Sequence, residues 1–193
     1  MTNNSLQLLV GILLSSLALS TANAQTSDSA GPALAADGIQ REGFIIGLSV
    51  GPGAMQLSDG SGSAGFEGTA FDLHLGGMLN PRTALMFDSF GVSSKVGHLD
   101  LTHVVSTIAV QYWPTSRSWV KGGIGMGTLG LAEPVMGGAR DGVNGGALLA
   151  ALGYELNHGR AFTIDAQLRL TVARYDAGNT VTGQSFSIGV NWY

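Results

Sequence analysis

The sequence predicts an all-β fold, an eight-stranded antiparallel up-and-down transmembrane β-barrel. Three observations predict it. From Gly43 onward, apolar and polar residues alternate one for one; most alternating stretches run for roughly 10 to 15 residues; and the links between them alternate between tight-turn sequences and longer polar ones. A tilted strand needs about 9 to 11 residues to cross the hydrocarbon layer, whereas strands of soluble proteins average about 5 or 6. The lengths therefore favour lipid over water.

Composition agrees with this. Charged residues make up 11% of the 193-residue chain, hydrophobic residues 45%, and 30 positions are Gly. Soluble globular proteins carry about 25% charged residues, and a disordered chain would show high charge with low hydrophobicity. A net charge of −4 offers no basic surface, so no nucleic-acid partner is expected. The absence of Cys excludes disulfides and thiolate metal sites.

The chain opens with an apolar run, Leu6 to Leu19 (LQLLVGILLSSLAL), followed by Ser20-Thr21-Ala22-Asn23-Ala24. An apolar run ending in an A-x-A pattern is the mark of a signal peptide, here residues 1–24, with cleavage after Ala24 and Ala22 in the other recognition position. The run is too short to span a bilayer as a helix, and its n-region lacks the usual Lys or Arg. Residues 25–42 (QTSDSAGPALAADGIQRE) are small, polar and aperiodic and are expected to be a flexible periplasmic leader. Residues 43–193 form the barrel.

Eight strands are expected, at about Gly43–Met55, Thr69–Leu79, Thr83–Val92, Leu101–Trp113, Trp119–Leu131, Gly146–Leu156, Ala161–Tyr175 and Gln184–Tyr193. The seventh shows the pattern best. Phe162, Ile164, Ala166, Leu168, Leu170 and Val172 share one face, with Thr163, Asp165, Gln167, Arg169 and Thr171 on the other. Side chains of a strand point alternately to its two faces, so one side is greasy and the other polar. The last strand repeats it, with Phe186, Ile188, Val190 and Trp192 opposite Ser185, Ser187, Gly189 and Asn191.

Asn80-Pro81-Arg82, Pro114 to Ser118, and Asn157 to Arg160 read as tight turns. QLSDGSGSAGFEG, SSKVGHLD, AEPVMGGARDGVN and DAGNTVTG read as longer loops. Short periplasmic turns with longer outside loops are the asymmetry of outer-membrane barrels. Tyr112, Trp113, Trp119, Tyr154, Phe162, Trp192 and Tyr193 all lie near the expected periplasmic ends, which suggests an aromatic girdle at the headgroup level.

This layout, together with the aromatic terminus SFSIGVNWY, resembles the small outer-membrane barrels of the OmpA/OmpX type over Gly43 to Tyr193. The resemblance implies location in the cell outer membrane of a Gram-negative bacterium, contact with outer-membrane lipids, and a final strand read by the barrel-assembly machinery during insertion. Here the terminal alternation is in phase with Trp192 and not with Tyr193. A monomer is expected.

With lipid outside, the polar face must line the lumen. Asp72, His74, Asp88, His103, Gln111, Lys121, Glu155, Asp165, Gln167 and Arg169 are then expected inside. Buried charges persist only when paired, so Lys121 and Arg169 should pair with Asp72, Asp88, Glu155 and Asp165. Four acids against two bases leave the interior acidic unless His74 or His103 is protonated.

A barrel of this size is just filled by its side chains. The leading expectation is thus a structural or surface-exposed, porin-like protein with a plugged lumen and four outer loops. The alternatives are a narrow pore for water or small ions, a lipid A-modifying enzyme, and a soluble lipocalin-like barrel. The stretch from Val172 to Gly178 weakly resembles the lipid A deacylases, but Arg174 and Asp176 stand where that family has a His-x-Ser pair. No catalytic residue, metal site or cofactor is expected, since no Ser has a neighbouring base and no ligands cluster in sequence.

Overall fold

The computed structural model describes residues 41–59, 61–132, 142–158, 162–175 and 178–193; the expected signal peptide with Ala22 and Ala24, and the leader up to residue 40, lie outside the described residues. Eight strands follow in order: β1 Phe44–Ser58, β2 Ser63–Asn80, β3 Thr83–Val96, β4 Leu99–Tyr112, β5 Ser118–Ala132, β6 Val143–His158, β7 Phe162–Tyr175 and β8 Thr180–Trp192. Each pairs antiparallel with its neighbours, and β1 pairs with β8 to close the barrel. Closure leaves no unpaired sheet edge, which is what permits strands to cross lipid.

The period-2 pattern fixes which side chains go inside. On β7, Thr163, Asp165, Gln167, Arg169 and Thr171 are buried while Phe162 and Leu168 are exposed. The outer surface carries Leu48 and Val50 of β1, Leu73 and Leu75 of β2, Phe87 of β3, Ile108 of β4, Ile124 of β5, Leu148 and Leu152 of β6, and Phe186 and Ile188 of β8. A continuous apolar belt of this extent is far larger than a water-soluble protein exposes. It is stable only against hydrocarbon.

Above the belt the strands run on, and here the expected layout changes. QLSDGSGSAGFEG and SSKVGHLD, read from sequence as loops, are mostly strand: β1 and β2 are joined by residues 59–62, and β3 and β4 by Gly97-His98 alone. Only the β5–β6 link, residues 133–142, remains long, and most of it lies outside the described residues. The asymmetry between the two ends therefore resides in strand extension, not in loop length. Pairing satisfies backbone groups whatever the composition, so Ser, Gly and Asp do not prevent a strand whose partner is adjacent.

Turn chemistry supports the two hairpins. Gly97 has φ +65°, a conformation that favours Gly. Asp59 Oδ1 accepts from the Ser61 and Gly62 amides at 3.0 Å and from the Ser61 hydroxyl at 2.7 Å. These hydrogen bonds, the Ser61 hydroxyl foremost, hold the Asp59 carboxyl below its ordinary value.

Leu168, at mid-belt, is 51% exposed; Leu168→Arg should lower stability in lipid vesicles by about 2–4 kcal/mol, while Gln56→Arg above the belt should cost about 0–1. Reversible denaturant unfolding in vesicles measures both.

Candidate functional site

Among the described residues, the charged side chains held out of water gather in the lumen, and β7 reads its tiers in order. From the end carrying the termini, its inward residues are Thr163, Asp165, Gln167, Arg169, Thr171, Ala173 and Tyr175.

At mid-height, Arg169 of β7 reaches across the lumen. Its Nη1 lies 2.5 Å from Asp88 Oδ1 and 2.9 Å from Asp72 Oδ1, the latter an ion pair not aligned as a hydrogen bond. Lys121 Nζ donates to Asp88 Oδ2 at 2.8 Å. Two carboxylates and two cations from β2, β3, β5 and β7 thus form one cluster, with every side chain buried. Asp72, His74 and Asp88 come close enough together to resemble a metal site. However, Arg169 and Lys121 already occupy the carboxylates with positive charge, so the donor set does not suit a cation.

Just below, His74 Nδ1 faces Asp72 Oδ2 at 3.0 Å and Nε2 faces Asn191 Oδ1 at 2.8 Å. Asn191 donates through Nδ2 to Asp165 Oδ2 at 3.0 Å, which orients its amide oxygen toward the imidazole. Both ring nitrogens of His74 thus lie within hydrogen-bond distance of side-chain oxygens. A side chain at Gly47 would overlap His74 and Asn191, so β1 is bare at this point. Asp165 also accepts from Trp119 Nε1 at 2.9 Å and Gln167 Nε2 at 3.2 Å. Gln167 Oε1 in turn accepts from Arg169 Nη2 at 3.2 Å, completing the chain.

At the terminal end, Glu155 Oε1 accepts from Trp113 Nε1 at 2.8 Å and from the Tyr193 hydroxyl at 3.3 Å. Its Oε2 is 2.5 Å from Arg41 Nη2, which also donates to the Ser116 carbonyl at 2.7 Å. The Arg41 guanidinium lies over the rings of Trp113, at 5.0 Å, and Tyr193, at 5.9 Å.

Three expectations need correction. Trp113 and Trp119 are not part of an outer girdle, being 0% and 2% exposed inside the lumen. Tyr193 turns into the mouth to reach Glu155. The indole N–H groups find buried carboxylates there, a stronger bond than a headgroup carbonyl offers. Tyr112, Tyr154, Phe162 and Trp192 do sit on the outer face at that end. Arg41, assigned from sequence to the leader, belongs to the barrel and supplies a cation the count of charges lacked. Lastly, His103 is buried but stands apart from the ion network, since neither of its ring nitrogens has a partner among the described residues.

Apolar layers flank the Asp72–Asp88–Lys121–Arg169 cluster on both sides. Ile45, Ala84, Met86, Ala109, Trp113, Trp119 and Ala151 pack below it. Met55, Phe90, Val92, Leu101, Val105, Leu149 and Val181 pack above it. Phe90 lies 5.3 Å from the Arg169 guanidinium and Trp119 lies 5.3 Å from Lys121 Nζ, so each layer contacts the charges directly.

No family model matches the chain, and no curated protein matches it by sequence. Its fold matches 27 solved chains. The attachment invasion locus protein Ail of Yersinia pestis, in complex with the heparin analogue sucrose octasulfate, aligns with TM-score 0.55 and 14% identity over 78% of this chain and 99% of that one. Neisserial surface protein A aligns with TM-score 0.54 and 16% identity over 77% and 96%. At such identities the likeness is one of fold, that of a small eight-stranded outer-membrane barrel.

Replacing Asp88 by Ala would leave Arg169 and Lys121 short of a shared counter-charge. The loss should be about 3–5 kcal/mol by vesicle unfolding, and the double variant Asp88→Ala/Lys121→Met should recover part of it.

Proposed function

We propose that the chain is a surface-exposed structural protein of the bacterial outer membrane, a plugged barrel whose working surface is the part that projects outward. It is exported by its signal peptide, delivered to the barrel-assembly machinery by the Phe186-Ile188-Val190-Trp192 alternation of β8, and inserted as a monomer among outer-membrane lipids.

The observation that carries the reading is the double closure of the lumen. An ion path needs polar groups from mouth to mouth. Here the charges occupy the middle and terminal tiers, and the apolar layer around Phe90 and Val105 stops them short of the outer end. The charges also hold one another in close pairs, which fixes the barrel wall instead of leaving sites for a passing ion.

Catalysis fits poorly. The Asp72–His74 pair has the geometry of a dyad, but its Nε2, the nitrogen that would serve a nucleophile, is taken by Asn191. Both groups are buried beneath the upper apolar layer. Arg174 sits on β7 with its side chain exposed, and Asp176 lies outside the described residues.

Outside the belt, the β1–β2 and β3–β4 hairpins present Gln56, Ser63, Glu67, Ser93, Lys95 and Asp100. This mixed polar face suits contact with a partner at the cell surface. Ail, whose name records attachment and invasion, has a barrel of similar size.

In planar bilayers the purified protein should give no discrete conductance steps, and Arg169→Ala should not create a stable, selective pore. Regular steps from the wild type, altered by neutralising Arg169 or Asp165, would instead establish the narrow-pore reading.

A further inference from the structure

The upper tier holds polar groups that the ion network does not use. His103 of β4 is 0% exposed, and neither ring nitrogen has a hydrogen-bond partner among the described residues. Tyr175 of β7 is also buried with its hydroxyl unpaired, and the two rings meet edge-on with centroids 6.3 Å apart. Unpaired buried polar atoms are uncommon because each forfeits its hydration without return.

The surroundings show where these groups point. A methyl built on Gly127 of β5 would lie 3.5 Å from His103 Nε2 and 2.9 Å from the Tyr175 hydroxyl; one on Gly183 of β8 would lie 3.6 Å from His103 Nδ1. The imidazole therefore faces bare backbone on both sides. One step outward on the same faces of the same strands stand Leu129 and Val181, and His103 is the cross-strand partner of Leu129. Leu129 and Val181, with Leu57 and Ala64, form the apolar wall of an open cup of about 480 Å³ at the outer mouth, rimmed by Ser58, Asp59, Ser61, Ser63, Asn179 and Thr180; the Asp59 carboxylate is engaged by the Ser61 hydroxyl and the Ser61 and Gly62 amides.

An apolar wall over two unpaired polar groups selects a particular chemistry. A charged ligand would lose its hydration against Leu57 and Val181, and a pure hydrocarbon would leave His103 and Tyr175 unsatisfied. We propose that the outer mouth binds a small uncharged amphiphile, its apolar body in the Leu57–Leu129–Val181 cup and a single hydroxyl directed between Leu129 and Val181 toward His103 and Tyr175. Binding here requires no passage through the lumen, so this site and the closed barrel are tested separately.

The test uses the folded protein in lipid nanodiscs, with labelled Leu and Val methyls and ¹⁵N-labelled His, titrated with 1-hexanol. Saturable shifts are expected at Leu57, Leu129 and Val181 and at the His103 ring. His103→Phe should weaken binding by about three- to tenfold, the usual weight of one hydrogen bond. Tyr175→Phe, which removes only a hydroxyl, should weaken it similarly if the first variant fails to fold. Ala64→Trp should fill the cup and abolish the shifts while the barrel keeps its heat-modifiable gel mobility. Shifts that grow linearly without saturation, spread to belt methyls such as Leu168, or survive Ala64→Trp would mean partition into the bilayer and overturn the site. Affinity unchanged in both His103→Phe and Tyr175→Phe would overturn it as well.

Discussion

Arg169, held between Asp72 and Asp88 with Lys121 on the other oxygen of Asp88, is the point from which the barrel is organised. The cluster draws side chains from four strands, β2, β3, β5 and β7, and so sets their register against one another from within. The surrounding lipid makes this necessary. An apolar exterior gains nothing from closing on itself in hydrocarbon, so the usual drive to bury greasy surface does not fold the membrane-embedded part. Paired charges and hydrogen bonds across the axis take its place. Such pairs contribute little net stability against an apolar core, but removing one member strands the others. Their value is in specifying one arrangement.

The interior changes character where the solvent changes. Along β7 the inward residues pass from Asp165, Gln167 and Arg169, at the height of the apolar belt, to Ala173 and Tyr175 above it. On β3 the sequence Asp88, Phe90, Val92 makes the same transition, and on β4 Val105 and Leu101 lie above Gln111. Where hydrocarbon surrounds the barrel the lumen holds the ion network; where the strands leave it apolar side chains predominate, packed around His103 and Tyr175. One closed sheet thus has an inverted core below and an ordinary core above. The ordinary core seals the inverted one from the outside, while the Arg41–Glu155–Trp113–Tyr193 assembly closes the other mouth.

Strand number, closure, inward phase and most of the lumen charges were legible in the sequence, because a period of two separates the faces and the belt and network obey it without exception on β7 and β8. Trp113 and Trp119 were misjudged although their phase was correct: Trp113 is two residues from Gln111, and Trp119 two from Lys121, both inward. Their clustering near one end suggested a girdle and outweighed the alternation. Arg41 left no periodic trace, since it precedes β1 across Gly43, at φ +75°. Its one signal was the excess of acids over bases among the expected lumen residues. The outward hairpins look like loops in sequence because Ser, Gly and Asp lower strand propensity, and pairing with an adjacent strand overrides propensity.

The three native tryptophans give the most direct test of which way the wall faces. Trp192 lies on the outer surface, while Trp113 and Trp119 are enclosed with the lumen carboxylates. In variants retaining one Trp each, reconstituted with lipids brominated along their acyl chains, Trp192 fluorescence should be strongly quenched and that of Trp113 and Trp119 nearly unaffected. Strong quenching of Trp113 or Trp119, or a Trp192 indifferent to bromine, would contradict a barrel with its charges on the axis and its apolar face in lipid.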